Sequence, residues 1–406
     1  MNPHQENRWL LPEGIQEVLP DAARKLEHLR RELLDLFETW GYELVIPPFV
    51  DFLDSLLTGT GHDLDLQTFK LTDQLSGRTL GVRADMTPQV ARIDARNLHR
   101  NSPTRLCYLG TVLHALNDPL EKSRSPLQVG AELYGHAGID SDLEIVQLML
   151  ETLAVAGIQN VHIDLGHVAI FRELAKLAGL DAELESTIFD ILQRKAIPEL
   201  KELLEECELD ETVRWMLTVL PTLNGTEGVL EKARKVLGDG NPEIAAALDY
   251  LDQLRHRLSI RFPALPINFD LAELRGYHYQ TGVVFAAFIP DYGREIARGG
   301  RYDDIGKVFG RARPATGFSA DIKVLASCAE NLPGERAASI FAPSETDPAL
   351  EETIRDLRLQ GRPVIRELPG QSGDAGSMGC GFRLEQKNNQ WIVMALDQNL
   401  EPSTRD

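Results

Sequence analysis

Cysteine is scarce in this chain of 406 residues: Cys107, Cys207, Cys328 and Cys380 stand far apart, with no Cys-x-x-Cys pair and no histidine at ligand spacing. That excludes a disulfide framework or a structural zinc site as an organising feature, and it fits reduced thiols in a cytoplasmic compartment. Long apolar runs are missing too. No stretch approaches the length that spans a bilayer, and the start, MNPHQENRWLLPEGI, has no basic segment followed by an apolar one, so export and membrane insertion are not expected. Basic residues are the minority, 42 Lys and Arg against 62 Asp and Glu, and the net charge of -20 argues against a broad electropositive surface for nucleic acid. No internal repeat is visible. What the chain does have is 43% hydrophobic residues, enough for a large core, over a length that suggests two domains.

The periodicity predicts a helix from about Asp21, a candidate N-cap, through Leu26, Leu29, Leu33, Leu36, Phe37 and Trp40 to Gly41, followed by a buried strand over Tyr42–Phe49 that stops at Pro47 and Pro48. A hairpin with Ser76-Gly77 in its turn then delivers Arg83-Ala84-Asp85-Met86-Thr87. Thr87 reads as the cap of a helix that begins at Pro88, which sets Asp85 and Thr87 at a strand end beside a helix N-terminus. Strands are expected over Arg105–Leu109 and Leu127–Tyr134. In the second, the period of two puts Gln128, Gly130 and Glu132 on one face, and a Gln and a Glu so placed ordinarily form a solvated face.

After a helix over Asp140–Gly157 and a strand over Val161–Leu165, the segment from Phe171 to about Ser259 reads as an all-helical insertion. Strands return over Ile267–Leu271, Tyr279–Ile289 and Arg294–Ala297, and Ala315–Ser319 leads into a last helix near Ala320–Glu330. Residues 334–406 are expected to form a small α/β domain after a core over 1–333, which carries the insertion at about 171–259. Two stretches stand out: Arg275-Gly276-Tyr277-His278-Tyr279-Gln280-Thr281-Gly282, and Arg298-Gly299-Gly300-Arg301-Tyr302-Asp303-Asp304. Each alone is compatible with a hairpin turned on glycine. Together they set cations and ring-bearing groups before an apolar strand, where Arg275 is able to fork onto a carboxylate.

In that order the chain resembles the catalytic core of histidyl-tRNA synthetases, a class II family, over roughly residues 9–330. The markers are the helix and strand ending at Pro47, VRADMT, LQVGAELYG, RGYHYQTGVVF and RGGRYDD. The resemblance implies an α+β fold, with an antiparallel sheet flanked by helices, and dimerisation through the first helix and strand. It also implies that Asp85, Thr87, Gln128 and Glu132 hold the amine and imidazole of histidine, with Arg275 facing its carboxylate and Tyr279 and Gln280 completing the pocket; Gln280 stands where the family has a second tyrosine. No metal or other cofactor is implied.

Two departures bear on function. Where class II enzymes carry an Arg and a Glu on the ATP in a Phe-Arg-x-Glu pattern, this chain has His114 and Leu116; where a later arginine follows Gly-Phe, it has Val324, with Lys323 beside it. Adenylate formation depends on cations positioned around developing charge, and one lost donor lowers the rate by roughly 10²–10³. Such losses, and Tyr277-His278 in place of Leu-Asp, resemble the family of ATP phosphoribosyltransferase regulatory subunits. That resemblance implies a partner, a short-form catalytic subunit, histidine as effector, and a homodimer within a hetero-oligomer, without catalysis of its own and without nucleic acid or membrane partners. An active histidyl-tRNA synthetase, with Lys323 and His114 as replacements, and a binding module for some other partner stay open on the residues alone.

Overall fold

Leu29, Leu33 and Phe37 recur every four residues and are fully buried, so the first helix, Pro20–Thr39, lies with one stripe on the main sheet, where the Phe37 ring meets Phe318 edge-on at 6.2 Å. The helix starts two residues earlier than expected: Leu19 occupies the cap with no side-chain bond, and Asp21 sits in the first turn, where its charge suits the helix dipole. The computed structural model describes residues 9–58, 62–116, 123–226, 228–238, 241–273, 276–277, 279–290, 292–329 and 338–396. It divides into two compact units, Met1–Leu332 and Pro333–Asp406.

The first unit lays down, in order, β1 (Glu43–Leu44), β2 (Val50–Phe52), β3 (Phe69–Thr72), β4 (Thr79–Val82), β5 (Thr104–Thr111), β6 (Leu127–Tyr134), β7 (His162–His167), β8 (Asn224–Gly225), β9 (Ile267–Asp270), β10 (Val283–Phe288), β11 (Ala297–Arg301) and β12 (Ala315–Asp321). Nine of them form one sheet in the order β1-β5-β6-β12-β11-β10-β7-β9-β8, antiparallel except for β1 on β5 and β7 on β9. The remaining three make a small antiparallel sheet, β2-β4-β3. This is the class II synthetase-like α+β architecture that the resemblance implies.

Three local expectations need correction. Tyr42–Phe49 is not one buried strand: only Glu43 and Leu44 pair, on the free edge of the sheet, and Ile46 and Phe49 are exposed. Prolines 47 and 48 have no N–H to give a ladder, so the pairing stops short of them. The glycines of RGGR make no turn; they lie inside β11, between β10 and β12. A Cβ at Gly299 would stand 2.2 Å from the Gly317 carbonyl oxygen and 2.6 Å from the Phe285 ring, so a close crossing demands glycine there. Finally, Thr87 is the first residue of helix Thr87–Arg92 rather than its cap, and Met86 stands in the cap position.

The helices between Val168 and Arg261 share a continuous core with the sheet through Leu174, Ile188, Leu248 and Leu254. Strand β8, from within this helical segment, also pairs with β9. His167 ends β7 and caps helix Val168–Leu177, its Nδ1 accepting from the Ala169 amide at 3.3 Å. Burial, aided by the Arg172 and Arg301 charges, lowers its pKa from 6.5 to about 4. The unfolded chain binds this proton more readily than the folded one, so the contribution is whole above about pH 6.5 and is lost as pH falls toward about 4. His167→Asn keeps an acceptor at the cap and should flatten that part of the stability curve. Thermal unfolding of both proteins across this window checks it; parallel curves would contradict the assignment.

The second unit comprises β13 (Ser339–Ala342), helix Pro348–Leu359, β14 (Val364–Arg366), β15 (Cys380–Lys387) and β16 (Gln390–Ala395), with strand order β14-β13-β15-β16. Ile340, Leu350, Ile354 and Leu384 form its core. Asp347 caps the helix through the Ala349 amide and also accepts from Trp391 Nε1 at 2.6 Å, which ties the helix start to the edge strand.

Candidate functional site

Registration of β5, β6 and β12 builds the site. Glu132 on β6 stands opposite Leu106 on one side and Gly317 on the other, while Tyr108 stands opposite Gly130. Both glycines are required by space. A Cβ at Gly130 would lie 2.4 Å from the Tyr108 hydroxyl, and one at Gly317 would lie 1.6 Å from Glu132 Oε2. With those positions bare, Tyr108 reaches across β6 and donates to Glu132 Oε1 at 2.9 Å, and its oxygen lies 3.1 Å from Thr87 Oγ1. Tyr302 donates to the other oxygen, Glu132 Oε2. Glu132 is 1% exposed, and burial pushes its pKa well above the ordinary carboxylate range, with the nearby Asp85 charge adding to the rise.

Asp85 is interlocked with Gln128. The Gln128 amide donates to Asp85 Oδ1 at 2.8 Å, its oxygen accepts from the Met86 amide at 3.0 Å, and Asp85 Oδ1 also accepts from the Thr87 amide at 3.0 Å. The capping role expected of Thr87 thus belongs to Asp85, and the Thr87 hydroxyl is left for Tyr108. Asp85, Thr87, Gln128 and Glu132 come together as one hydrogen-bonded wall. Tyr279 joins it with its ring 6.4 Å from Tyr302, edge to face, and burial followed by the Asp85 charge raises the pKa of its hydroxyl.

Gln280 is 6% exposed and packs over β11, where a Cβ at Gly300 would stand 2.3 Å from its Oε1. That oxygen meets no donor among the described residues, and a buried acceptor without a donor costs about 1–3 kcal/mol. Arg275, the expected carboxylate partner, lies outside the described residues, as does His278. The wall therefore offers two carboxylates, an amide and hydroxyls, acceptors suited to an ammonium group and to imidazole N–H groups. An open groove of about 940 Å³ beside Asn160, His162 and Phe262, and a hollow of about 530 Å³ beside Leu34, Tyr42 and Cys107, contain none of these residues. Convergent polar groups, rather than volume, mark the site.

Tyr108 and Tyr302 escape the sequence reading as site residues. The signal was present for Tyr108, since the period of two in Arg105–Leu109 fixes its face, but what makes it functional is the bare Gly130 across the ladder.

The positions that the resemblance matches to ATP-binding side chains are differently occupied. His114 Nε2 lies 3.1 Å from the Ala84 carbonyl oxygen, and Leu116 is exposed. Lys323 donates to Ser125, to its carbonyl oxygen at 2.5 Å and to Oγ at 3.3 Å, and Val324 packs against the hydrophobic core. Arg124, on the same stretch, is spent on the carbonyl oxygens of His114, Ala115 and Glu13 at 2.9, 2.7 and 3.2 Å.

Residues 14–325 match the family model described as histidyl-tRNA synthetase, and residues 337–394 match that of the ATP phosphoribosyltransferase subunit HisZ C-terminal domain. The chain is 60% identical over 391 residues to the ATP phosphoribosyltransferase regulatory subunit of Methylococcus capsulatus, with 96% of each chain covered. It is 56% identical to that of Thioalkalivibrio sulfidiphilus, covering 96% of this chain and 99% of the other. Among solved structures, an ATP phosphoribosyltransferase regulatory subunit/histidyl-tRNA synthetase from Bacillus halodurans superposes with a TM-score of 0.80 at 27% identity, covering 91% of this chain and 95% of that one. The histidyl-tRNA synthetase of Nostoc shares the fold, with a TM-score of 0.73 at 18% identity over 95% and 97% of the two chains.

Proposed function

This chain belongs to the family of ATP phosphoribosyltransferase regulatory subunits, and from that we propose that it is a non-catalytic subunit in the first step of histidine biosynthesis. It binds and activates a short-form catalytic subunit and carries feedback inhibition by histidine to it. The observation that carries this reading is a division of the synthetase-like site. The side read as taking the amino acid keeps Asp85, Thr87, Gln128 and Glu132 in one hydrogen-bonded wall, whereas the side read as facing ATP holds His114 on a backbone carbonyl, Lys323 on Ser125 and Val324 in the core.

Histidine fits the wall as a zwitterion with an imidazole. Asp85 and Gln128 take the ammonium and Glu132 or the Gln280 oxygen takes the ring N–H, beside Thr87 and Tyr279, while the carboxylate falls, by the family resemblance, to Arg275. The subunit works in the cytoplasm as a homodimer within a hetero-oligomer, using neither nucleic acid nor membrane. The open edge of β1, with Leu44, Ile46 and Phe49 exposed, supports pairing with a second copy. No helix of the described residues is long and apolar enough to cross a membrane.

Without two positioned cations, adenylate formation is expected to fail, since each such donor is worth roughly 10²–10³ in rate. Histidine-dependent exchange of pyrophosphate into ATP should therefore stay at background, for the parent protein and for Lys323→Ala alike. Exchange by the parent that is lost in Lys323→Ala would favour a synthetase with a substitute cation.

A further inference from the structure

Tyr277, Tyr279 and Gln280 of the Gly276–Gln280 stretch lie beside the proposed histidine wall, and contacts that hold them come from the helical segment between Val168 and Arg261. Arg172, on helix Val168–Leu177, donates from Nη2 to the carbonyl oxygen of Gln280 at 2.9 Å and to that of Tyr277 at 3.3 Å. The same guanidinium lies over the Tyr277 ring, 5.1 Å from its centroid. Tyr277 is 5% exposed, and its hydroxyl donates to Glu185 of helix Ala182–Gln193 at 2.5 Å. Its ring is gripped by Phe171 and Phe189, at 5.3 and 5.5 Å between centroids.

The ends of the stretch are tied in the same way. Before it, Asp270 accepts from Lys195 at 2.7 Å, and the Leu271 amide donates to the Leu223 carbonyl oxygen at 3.1 Å. After it, the Gly282 carbonyl oxygen accepts from the amide of Val168, the first residue of its helix, at 3.1 Å. On the pocket side, Tyr279 and Gln280 touch the site through the Tyr302 ring and over Gly300. Residues 277 and 279–280 thus face two bodies, one carrying the ligand groups and one helical. An arginine that served only as surface would not take two carbonyls from the wall itself.

We propose that Tyr277 is a positioning residue, which through Glu185 and Arg172 registers the Tyr279–Gln280 wall against the helical segment, so that occupancy of the pocket and the packing of these helices are coupled. The inference rests on the reading of the pocket as a histidine site. It assigns to the helical segment the task of sensing whether the pocket is filled, because a ligand that draws Gln280 toward itself pulls on the carbonyls that Arg172 holds. Coupling of this kind is reciprocal: loosening the helices weakens the ligand, and the ligand tightens the helices.

The test is histidine titration by calorimetry on the full chain, together with amide exchange across Ala182–Gln193 with and without saturating histidine. Tyr277→Phe keeps the ring and removes the hydroxyl; Glu185→Gln alters the other partner; Arg172→Lys keeps the charge and loses the fork. Tyr277→Phe should weaken histidine by about fivefold, the range of one partly buried hydrogen bond, and Glu185→Gln, whose amide oxygen still accepts but carries no charge, by less. The double variant should be no weaker than Tyr277→Phe alone, because without the hydroxyl the residue at 185 has no bond left to lose. Histidine should slow exchange across Ala182–Gln193 in the parent protein and not in Tyr277→Phe, a response that loss of stability alone does not produce. Arg172→Lys serves as the second probe should Tyr277→Phe fold poorly, and it should likewise bind more weakly. Unchanged affinity with unchanged protection in the variants overturns the inference and leaves the histidine pocket standing, as do effects that simply add in the double variant. A parent protein that binds no histidine overturns the pocket reading, and the inference with it.

Discussion

Glu132→Gln is expected to lower the affinity for histidine by about a hundredfold while leaving the protein folded. The fold survives because the hydrogen bonds can be remade. The glutamine oxygen accepts from Tyr302, and its amide donates to the Tyr108 oxygen, which turns its own proton to the Thr87 hydroxyl 3.1 Å away. Binding does not survive so well, because the ligand's ring N–H favours the ionised form of Glu132 against the burial that otherwise raises its pKa, whereas glutamine can take no charge and points its own donor at the imidazole. Hydrogen bonds to charged groups contribute about 1.5–3 kcal/mol, and a hundredfold corresponds to about 2.7 kcal/mol. Calorimetric titration of both proteins checks the value, with the thermal midpoint confirming that the variant is intact. Equal affinities would remove Glu132 from the ligand.

Arg301→Ala is expected to be the most destabilising single change in this part of the molecule, by about 3–5 kcal/mol, the range for a buried ion pair that loses one partner. Arg301 is 6% exposed; it pairs with the fully buried Asp142 through Nε at 3.0 Å and Nη2 at 2.9 Å, and it also donates to Ser141 Oγ at 2.8 Å and to the carbonyl oxygens of His136 and Gly138. Tyr250 donates its hydroxyl to the same aspartate. Removing the guanidinium leaves a carboxylate with no countercharge in a dry interior. Asp142→Asn in the same chain should recover part of the loss, since the remaining group is then neutral. Denaturant unfolding of the single and double variants decides it, and a loss below about 1 kcal/mol would mean that the pair is more hydrated than its burial suggests.

These two residues also show how far the sequence can be read. Glu132 was legible in its placement, because a strand alternates and its period of two set Glu132 beside Gln128 on one face. That the face is buried and not solvated followed only from the resemblance, and the physical reason lies in other strands: Tyr108 comes across from β5 and Tyr302 follows β11. Arg301 sat in a stretch that stood out, but its glycines read as a turn. Gly299 and Gly300 are instead demanded by neighbours in space, the Gly317 carbonyl and Phe285 against one and Gln280 against the other, and no local rule sees those. The helices Pro20–Thr39 and Pro348–Leu359 were legible for the opposite reason, since their apolar spacing and terminal signals lie within their own residues. The expected strand at Tyr42–Phe49 fell short because its apolar residues, Ile46 and Phe49 among them, face outward from a free sheet edge.

The regulatory account is tested most directly by the activity of the short-form ATP phosphoribosyltransferase catalytic subunit from the same source, measured with and without this chain across a range of histidine concentrations. The account predicts strong activation on mixing, reversed by histidine, with the reversal shifted to higher concentrations when the chain carries Glu132→Gln. No activation, or an activation that histidine leaves untouched, would contradict it.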